Sequence, residues 1–267
     1  MLLLLPPSEG KFAPDYGPTL DLDRLSFPEL NQARSKVLSA LMEVSRREDA
    51  AQSLNVGAKG AKEIIAQRDI LTAPCAPARQ IYTGVLYEAA QLHQGDDVMV
   101  FSGLFGVTRG EDFIPSYRLS MNVSLPGIGP LKTFWRNELA GWMPSKTMMR
   151  QVNGSQSQTI SGTCNEIAID HCPEDAEIED IVDLRSELYR VTGPSSTEAH
   201  TRWWNIRIVD SKNKTISHMA KHYRGLLARA LLDAPSQSVD EVARTIGTVT
   251  VEPKADVCQL TLVPENL

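Results

Sequence analysis

Four consecutive leucines, Leu2–Leu5, closed at once by Pro6-Pro7, constrain the fold of this chain more than any other stretch. Apolar residues that do not alternate offer no face to solvent. The run therefore predicts a short strand buried on both sides, as in the middle of a largely parallel sheet. Proline cannot supply the amide that a central strand needs, so the chain leaves the sheet at Pro6. The loop that follows, "PPSEGKFAPDYGPTLD", is long and rich in Pro, Gly and Asp, and long loops beside central strands often carry function.

Downstream, helical and strand signals alternate. "PELNQARSKVLSALMEVSRR", from Pro28 to about Arg47, places Leu30, Ala33, Val37, Leu41 and Val44 at helical spacing. A second helix is expected over about 59–68 and a third within 78–93, beginning after Tyr82-Thr83-Gly84. "DDVMVFSG" (96–103), "EIEDIVDL" (177–184), "RWWNIRIVD" (202–210), "TVTVE" (248–252) and "CQLTLV" (258–263) read as strands. Residues 215–234 read as a helix after the polar turn 211–214. This interleaving predicts an α/β fold, a mixed β-sheet with flanking helices. There is no internal repeat, and neither the G-x-G-x-x-G nor the Walker pattern of nucleotide binding occurs.

A chain of 267 residues, 42% hydrophobic, can bury one large core. A single domain over 1–267 is expected, allowing a helical subdomain over about 28–95. The net charge of −6 argues against a surface coated in basic charge. "MLLLLPP" is too short for a signal peptide's apolar core or a membrane span, so a cytoplasmic protein without membrane contact is expected. Cys75, Cys164, Cys172 and Cys258 lack any C-x-x-C pair and read as buried thiols of a reducing compartment. Neither a metal site nor a cofactor is expected: His218 and His222 stand four apart, but no acid or Cys completes a ligand set and Lys221 beside them repels a cation.

Four stretches carry chemistry. "FSGLFGVTRGEDFIPSYRLSM" (101–121) places Arg109, Asp112, Tyr117 and Arg118 just beyond a strand's carboxyl end, where open α/β sheets hold ligands. "LPGIGP" (125–130), followed by Lys132 and Arg136, has the apolar-Pro-Gly-apolar-Gly form of a helix-hairpin-helix, in which Gly127 and Gly129 bring backbone amides to phosphates. An ordinary turn has the same signature, and the residues before it, "RLSMNVS", are poor helix formers. "DLRSELYR" (183–190) gathers Asp183, Ser186 and Tyr189, either to orient a substrate or to cap a helical turn. Finally, residues 202–229 hold Arg202, Arg207, Lys212, Lys214, Lys221, Arg224 and Arg229 against Asp210 alone, with Trp203 and Trp204 interleaved. That is the largest local charge asymmetry in the chain, and it reads as one wall of an anion-binding cleft or as a solvated helix face.

The ordered set "MLLLLPPSEGK", "YTGVLYEA", "SGLFGVTRGEDFIPSYRLSM", "FW", "DLRSELY" and "SHMAKHYRGLLARAL" resembles the YaaA family of peroxide-stress proteins over nearly the whole chain. The resemblance implies a mixed α/β fold with a helix-hairpin-helix-like element and a positively charged cleft. It also implies DNA binding, and protection of DNA in peroxide stress by keeping unincorporated iron low. On matching positions, Lys11, Arg109, Asp112, Tyr117, Arg118, Trp135, Asp183, Ser186, Tyr189, His218, Lys221 and Arg224 are implied to line or support the cleft.

Two functions follow. In the first, a DNA-binding stress protein holds phosphates with the amides of Gly127 and Gly129, with Lys132, and with the basic residues of 202–229. In the second, the same cleft is the active site of an enzyme for a small anion such as a nucleotide, nucleobase or amino acid derivative. Lys11 is then the base or nucleophile, Asp183, Ser186 and Tyr189 are its partners, and Arg109, Tyr117, Arg118, Trp135, His218, Lys221 and Arg224 bind the substrate. The residues alone leave both open.

Overall fold

Leu2–Leu5 form β1, and every one of the four leucines is buried. The structure, a computed structural model, describes residues 1–57, 60–142, 144, 178–194, 201–214, 216, 219–254 and 257–265. Its strands continue with β2 (Cys75–Pro77), β3 (Val98–Ser102), β4 (Gly106–Arg109), β5 (Phe113–Pro115), β6 (Ser124–Leu125), β7 (Gly129–Pro130), β8 (Glu179–Asp183), β9 (Thr201–Ile208), β10 (Gly247–Lys254) and β11 (Val257–Pro264). Seven of them form one sheet in the order β10-β11-β9-β8-β1-β3-β4. The inner pairs β1/β3, β1/β8, β8/β9 and β9/β11 are parallel, whereas the edge strands β10 and β4 run antiparallel to their neighbours. The fold is thus mixed α/β with flanking helices, as the leucine run and the alternation of elements predict.

The helices are α1 (Asn31–Ser45), α2 (Ala50–Ser53), α3 (Ala61–Ala66), α4 (Ala78–Ile81), α5 (Val85–Ala90), α6 (Leu131–Glu138), α7 (Met219–Asp233) and α8 (Val239–Arg244). The helix expected after Tyr82-Thr83-Gly84 is α5: Tyr82 is extended and Gly84 has a φ of +91°, so α5 starts at Val85, apart from the short α4 before it, and ends where Gln91 turns left-handed. Val37, Leu41 and Val44 of α1 and Leu227, Ala228 and Leu231 of α7 are buried in one common apolar core. Burial of this kind stabilises at roughly 25 cal/mol per Å² of apolar surface.

Two features depart from the expectations. β4 and β5 lie inside 101–121, the stretch expected to hold its candidates just beyond a strand's carboxyl end; Gly106, with φ +70°, closes the turn that folds β4 back on β3. The reversed direction matters, because Arg109 pairs with Met99 and so lies towards the amino ends of the parallel strands. Second, "LPGIGP" is a β-hairpin between β6 and β7. The Ile128 amide donates to the Leu125 carbonyl at 3.2 Å with Pro126 and Gly127 (φ +72°) between them, the pattern of a type II turn. Residues 118–123 before it are not helical, so the hairpin has a helix, α6, on its carboxyl side only.

One buried charge ties the α1 region to the β3–β4 hairpin of the sheet. Arg34 is fully buried and donates to the carbonyls of Ser26, Phe27, Phe105 and Val107 and to Asn31 Oδ1. Burial lowers its pKa to about 10, and the surrounding carbonyls are what make the charge tolerable there. Among the described residues no helix is long and apolar enough to cross a membrane.

Candidate functional site

After β1 the next parallel strand, β3, lies on one side of it and β8 on the other. The carboxyl ends of β1 and β8 therefore flank a point where the strand order reverses, the place where open α/β sheets leave a crevice. Pro6-Pro7 send the chain into that crevice. The loop is then clipped to the α4–α5 junction: the Thr83 amide donates to Ser8 Oγ at 3.0 Å, the Phe12 amide to the Ile81 carbonyl at 2.8 Å, and Lys11 bridges to Tyr82 in antiparallel fashion.

This clip turns Lys11 inward. Its Nζ donates to the Ser8 carbonyl at 2.7 Å and stands 4.4 Å from the Tyr117 ring centroid and 5.5 Å from that of Tyr82. The two tyrosines are buried and share a hydrogen bond of 2.8 Å between their hydroxyls, while the Tyr87 hydroxyl donates to the Pro6 carbonyl at 2.7 Å. Burial, then the positive charge of Arg118, lowers the Lys11 pKa to about 7, with Glu9 and Glu63 acting in the opposite direction. Burial drives the pKa of Tyr82, Tyr87 and Tyr117 the other way, upward. Near neutral pH the phenols thus keep their protons while a substantial share of Lys11 is the free amine.

The cleft in front of Lys11 has a volume of about 110 Å³, and its walls include Asn55, Arg118, Ser120, Asn122 and Tyr189. Arg118 is held at its backbone, where its amide donates to Gln67 Oε1 at 2.9 Å; its guanidinium reaches the Glu9 carbonyl at 3.3 Å and the Glu9 carboxylate at 3.4 Å. Glu9 is mostly exposed, so an incoming anion can displace that partner at little cost. Tyr189 is pushed above the usual phenol range by burial, with hydrogen bonds to Ser120 and Met121 acting against it. Its neutral hydroxyl can therefore donate to a ligand.

The remaining sequence candidates lie elsewhere. Asp183 is buried in a bidentate pair with the fully buried Arg185, 2.9 Å on each side, and also accepts the Arg185 amide. Its two oxygens are therefore occupied by structure. Ser186 precedes the 3-10 turn Glu187–Tyr189, but no capping hydrogen bond from its side chain is present. Trp135 is wholly buried, donating its indole N–H to the Gly103 carbonyl at 2.9 Å and packing on Gly106, where a Cβ would come within 2.5 Å of the ring. Asp112 accepts from the Arg109 amide and from both the amide and hydroxyl of Ser26, and Arg109 faces the Phe27 ring, away from the carboxyl ends.

Lys132 donates to the Glu187 carbonyl at 2.9 Å and fastens α6 to the 187–189 turn. Gly127 and Gly129 have open space around them. Lys221 is exposed on α7, Arg224 lines a separate cavity, and His218 lies outside the described residues. Part of the basic stretch is compensated: Arg202 pairs with Asp180, and Arg229 with Asp96 and Asp233.

Asn55, Ser120 and Asn122, which the sequence reading left out, are brought in by loops, and Asn55 takes a positive φ of +54°. Cys75 is a buried free thiol with its pKa pushed up to about 11 by burial, Cys258 is free and half-buried, and Cys164 and Cys172 lie outside the described residues. Among the described residues no group of three or more His, Cys, Asp or Glu is placed to hold a metal ion.

Comparison with known proteins supplies the context. The sequence model of a family described as peroxide stress protein YaaA matches residues 1–247. A UPF0246 protein of Streptomyces coelicolor is 34% identical over 265 residues, covering 92% of this chain and 90% of the relative. One from Corynebacterium efficiens is also 34% identical over 265 residues, covering 94% and 95%. An uncharacterized protein of Campylobacter jejuni is 26% identical over 240 residues, covering 85% and 82%.

Proposed function

The chain belongs to the family of the peroxide stress protein YaaA, and from that premise we propose that it serves peroxide defence by binding and transforming a small anionic molecule in the Lys11 cleft. The observation that carries this reading is the Lys11 amine itself, set between two tyrosine rings, with a pKa of about 7 and Arg118 as its neighbour. An ordinary surface lysine near pH 7 is almost wholly protonated and does neither base nor nucleophile chemistry. A lysine with its pKa near the working pH does both, taking a proton from a bound substrate or attacking its carbonyl carbon. Arg118 supplies a fork for carboxylate or phosphate, and the Tyr189 hydroxyl a hydrogen-bond donor beside the reacting group.

The test is the pH dependence of Lys11 acylation, followed residue by residue by mass spectrometry, with and without small carboxylates and nucleotides. Half-maximal labelling near pH 7, suppressed by at least one of these anions, is expected; the same anion should raise the melting temperature of the native protein but not of Arg118→Gln. A labelling midpoint near pH 10 removes the reading.

The open space around Gly127 and Gly129 at the start of α6 supports a second reading. In it the hairpin amides hold the phosphate backbone of DNA, and the protein shields that DNA from iron-driven peroxide damage.

A further inference from the structure

A second cavity, of about 200 Å³, opens beside the other end of the 187–189 turn. Among the described residues it shares no lining residue with the Lys11 cleft: Tyr189 faces the first, and Glu187 and Arg190 face the second. Four arginines line it, Arg185 and Arg190 flanking the turn, Arg207 from β9 and Arg224 from α7. Two carboxylates stand against them. Asp183 is committed to Arg185, with Arg190 Nε 3.5 Å away; Glu187, largely exposed, lies 3.7 Å from Arg190 Nη1 and 3.8 Å from Lys132 Nζ.

Four positive groups against two negative ones leave an excess of two charges, and it falls on guanidiniums that are poorly engaged. Among the described residues Arg224 Nε is buried with no hydrogen-bond partner, and Arg207 donates to the Asn213 carbonyl at 3.1 Å. Burial, then the charge of Arg190, lowers the Arg224 pKa while Asp183 raises it, as expected of a cation crowded by another cation. A guanidinium does not escape such a place by losing its proton. An anion entering the cavity stabilises it.

We propose that this arginine cavity, at the carboxyl ends of β8 and β9, is a binding site for a phosphate group, free or carried by a small molecule. The class follows from charge and shape. A phosphate dianion balances the excess of two, and its oxygens accept from several forks arriving from different directions, whereas one carboxylate satisfies one fork. The Gln259 side chain completes the wall, its amide donating to the Asn205 carbonyl at 3.1 Å. The site stands independently of the Lys11 chemistry.

Isothermal titration of the native protein at low ionic strength with inorganic phosphate, pyrophosphate and ADP tests it. Saturable binding is expected for at least one of the three, weakened tenfold or more in Arg224→Gln and in Arg207→Gln and unchanged in Lys11→Met. Arg207 is exposed, so its variant reports binding even where loss of Arg224 harms folding. Tighter binding of ADP than of phosphate assigns the site to nucleotides, and equal binding assigns it to the free ion. No saturable binding, full affinity in both arginine variants, loss of affinity in Lys11→Met equal to that in Arg224→Gln, or displacement of pyrophosphate by a short DNA duplex would each overturn the proposal.

Discussion

A lysine between two tyrosine rings leaves a mark on stability as well as on reactivity. The folded-state pKa of Lys11 is about 7, below the ~10.4 of an unfolded chain, so between those pH values the unfolded state holds a proton that the folded state has released. Below pH 7 both states are protonated and the cost of the buried charge is present in full; as pH rises towards 10 that cost disappears. Stability therefore rises with pH across this window, by at most about 1.4 kcal/mol per pH unit for one group, and less where solvent screens the half-buried amine. Denaturant unfolding of the native protein and of Lys11→Met from pH 7 to pH 10 checks this: the difference between the two should move in favour of the native chain as pH increases. Parallel curves would mean that Lys11 is an ordinary lysine in the fold.

At the scale of elements, the packing of α7 on α5 turns on Gly225, where a Cβ would sit 2.2 Å from the Leu86 carbonyl oxygen and 3.1 Å from the Ala90 amide nitrogen. In an exposed helix, alanine is preferred to glycine by about 1 kcal/mol. Here the obstacle is backbone, which cannot rotate aside, and overpacking of that kind costs about 1–3 kcal/mol. Gly225→Ala should therefore lower stability by up to roughly 2 kcal/mol, the difference of these terms, and a melting temperature above that of the native chain would show that the helices separate easily. The same comparison explains what could be read in advance. Runs such as Leu2–Leu5 and Val98–Ser102 declare their strands because their residues fit one environment only. β4 did not, because its strand character depends on β3 lying beside it and on a turn through Gly106. The hairpin at 125–130 was visible as a turn, but its phosphate-binding form required a preceding helix, which the weak helix formers of 118–123 do not make. The site divides in the same way. Lys11 and Arg118 stood out by loop position and by family resemblance, whereas the rings that pack on Lys11 come from two distant segments, and the commitment of Asp183 to Arg185 depends on a buried geometry that no spacing reveals.

Over the whole molecule, charge decides between a protein that holds DNA and one that holds a small anion. The chain carries a net −6, and of the seven basic residues of 202–229 that promised a DNA wall two, Arg202 and Arg229, are spent on Asp180, Asp96 and Asp233. At the hairpin edge the basic residues are Lys132, which donates to the Glu187 carbonyl, and the exposed Arg136, both on α6 after Gly127 and Gly129. Association with duplex DNA through this edge then neutralises about two phosphates, and each released counterion contributes about 0.9 to the salt slope. Fluorescence anisotropy of a labelled 20-base-pair duplex between 50 and 200 mM salt should accordingly give a slope of log K against log salt near −2. Affinity should fall by about tenfold over that range, with little preference for sequence. A slope of −6 or steeper requires a basic surface far larger than this edge offers, and would transfer the function of the molecule from the Lys11 cleft to the nucleic acid reading. A shallow slope, together with a Lys11 amine that titrates near neutrality, leaves DNA as at most a weak partner and places the chemistry at the junction of β1 and β8.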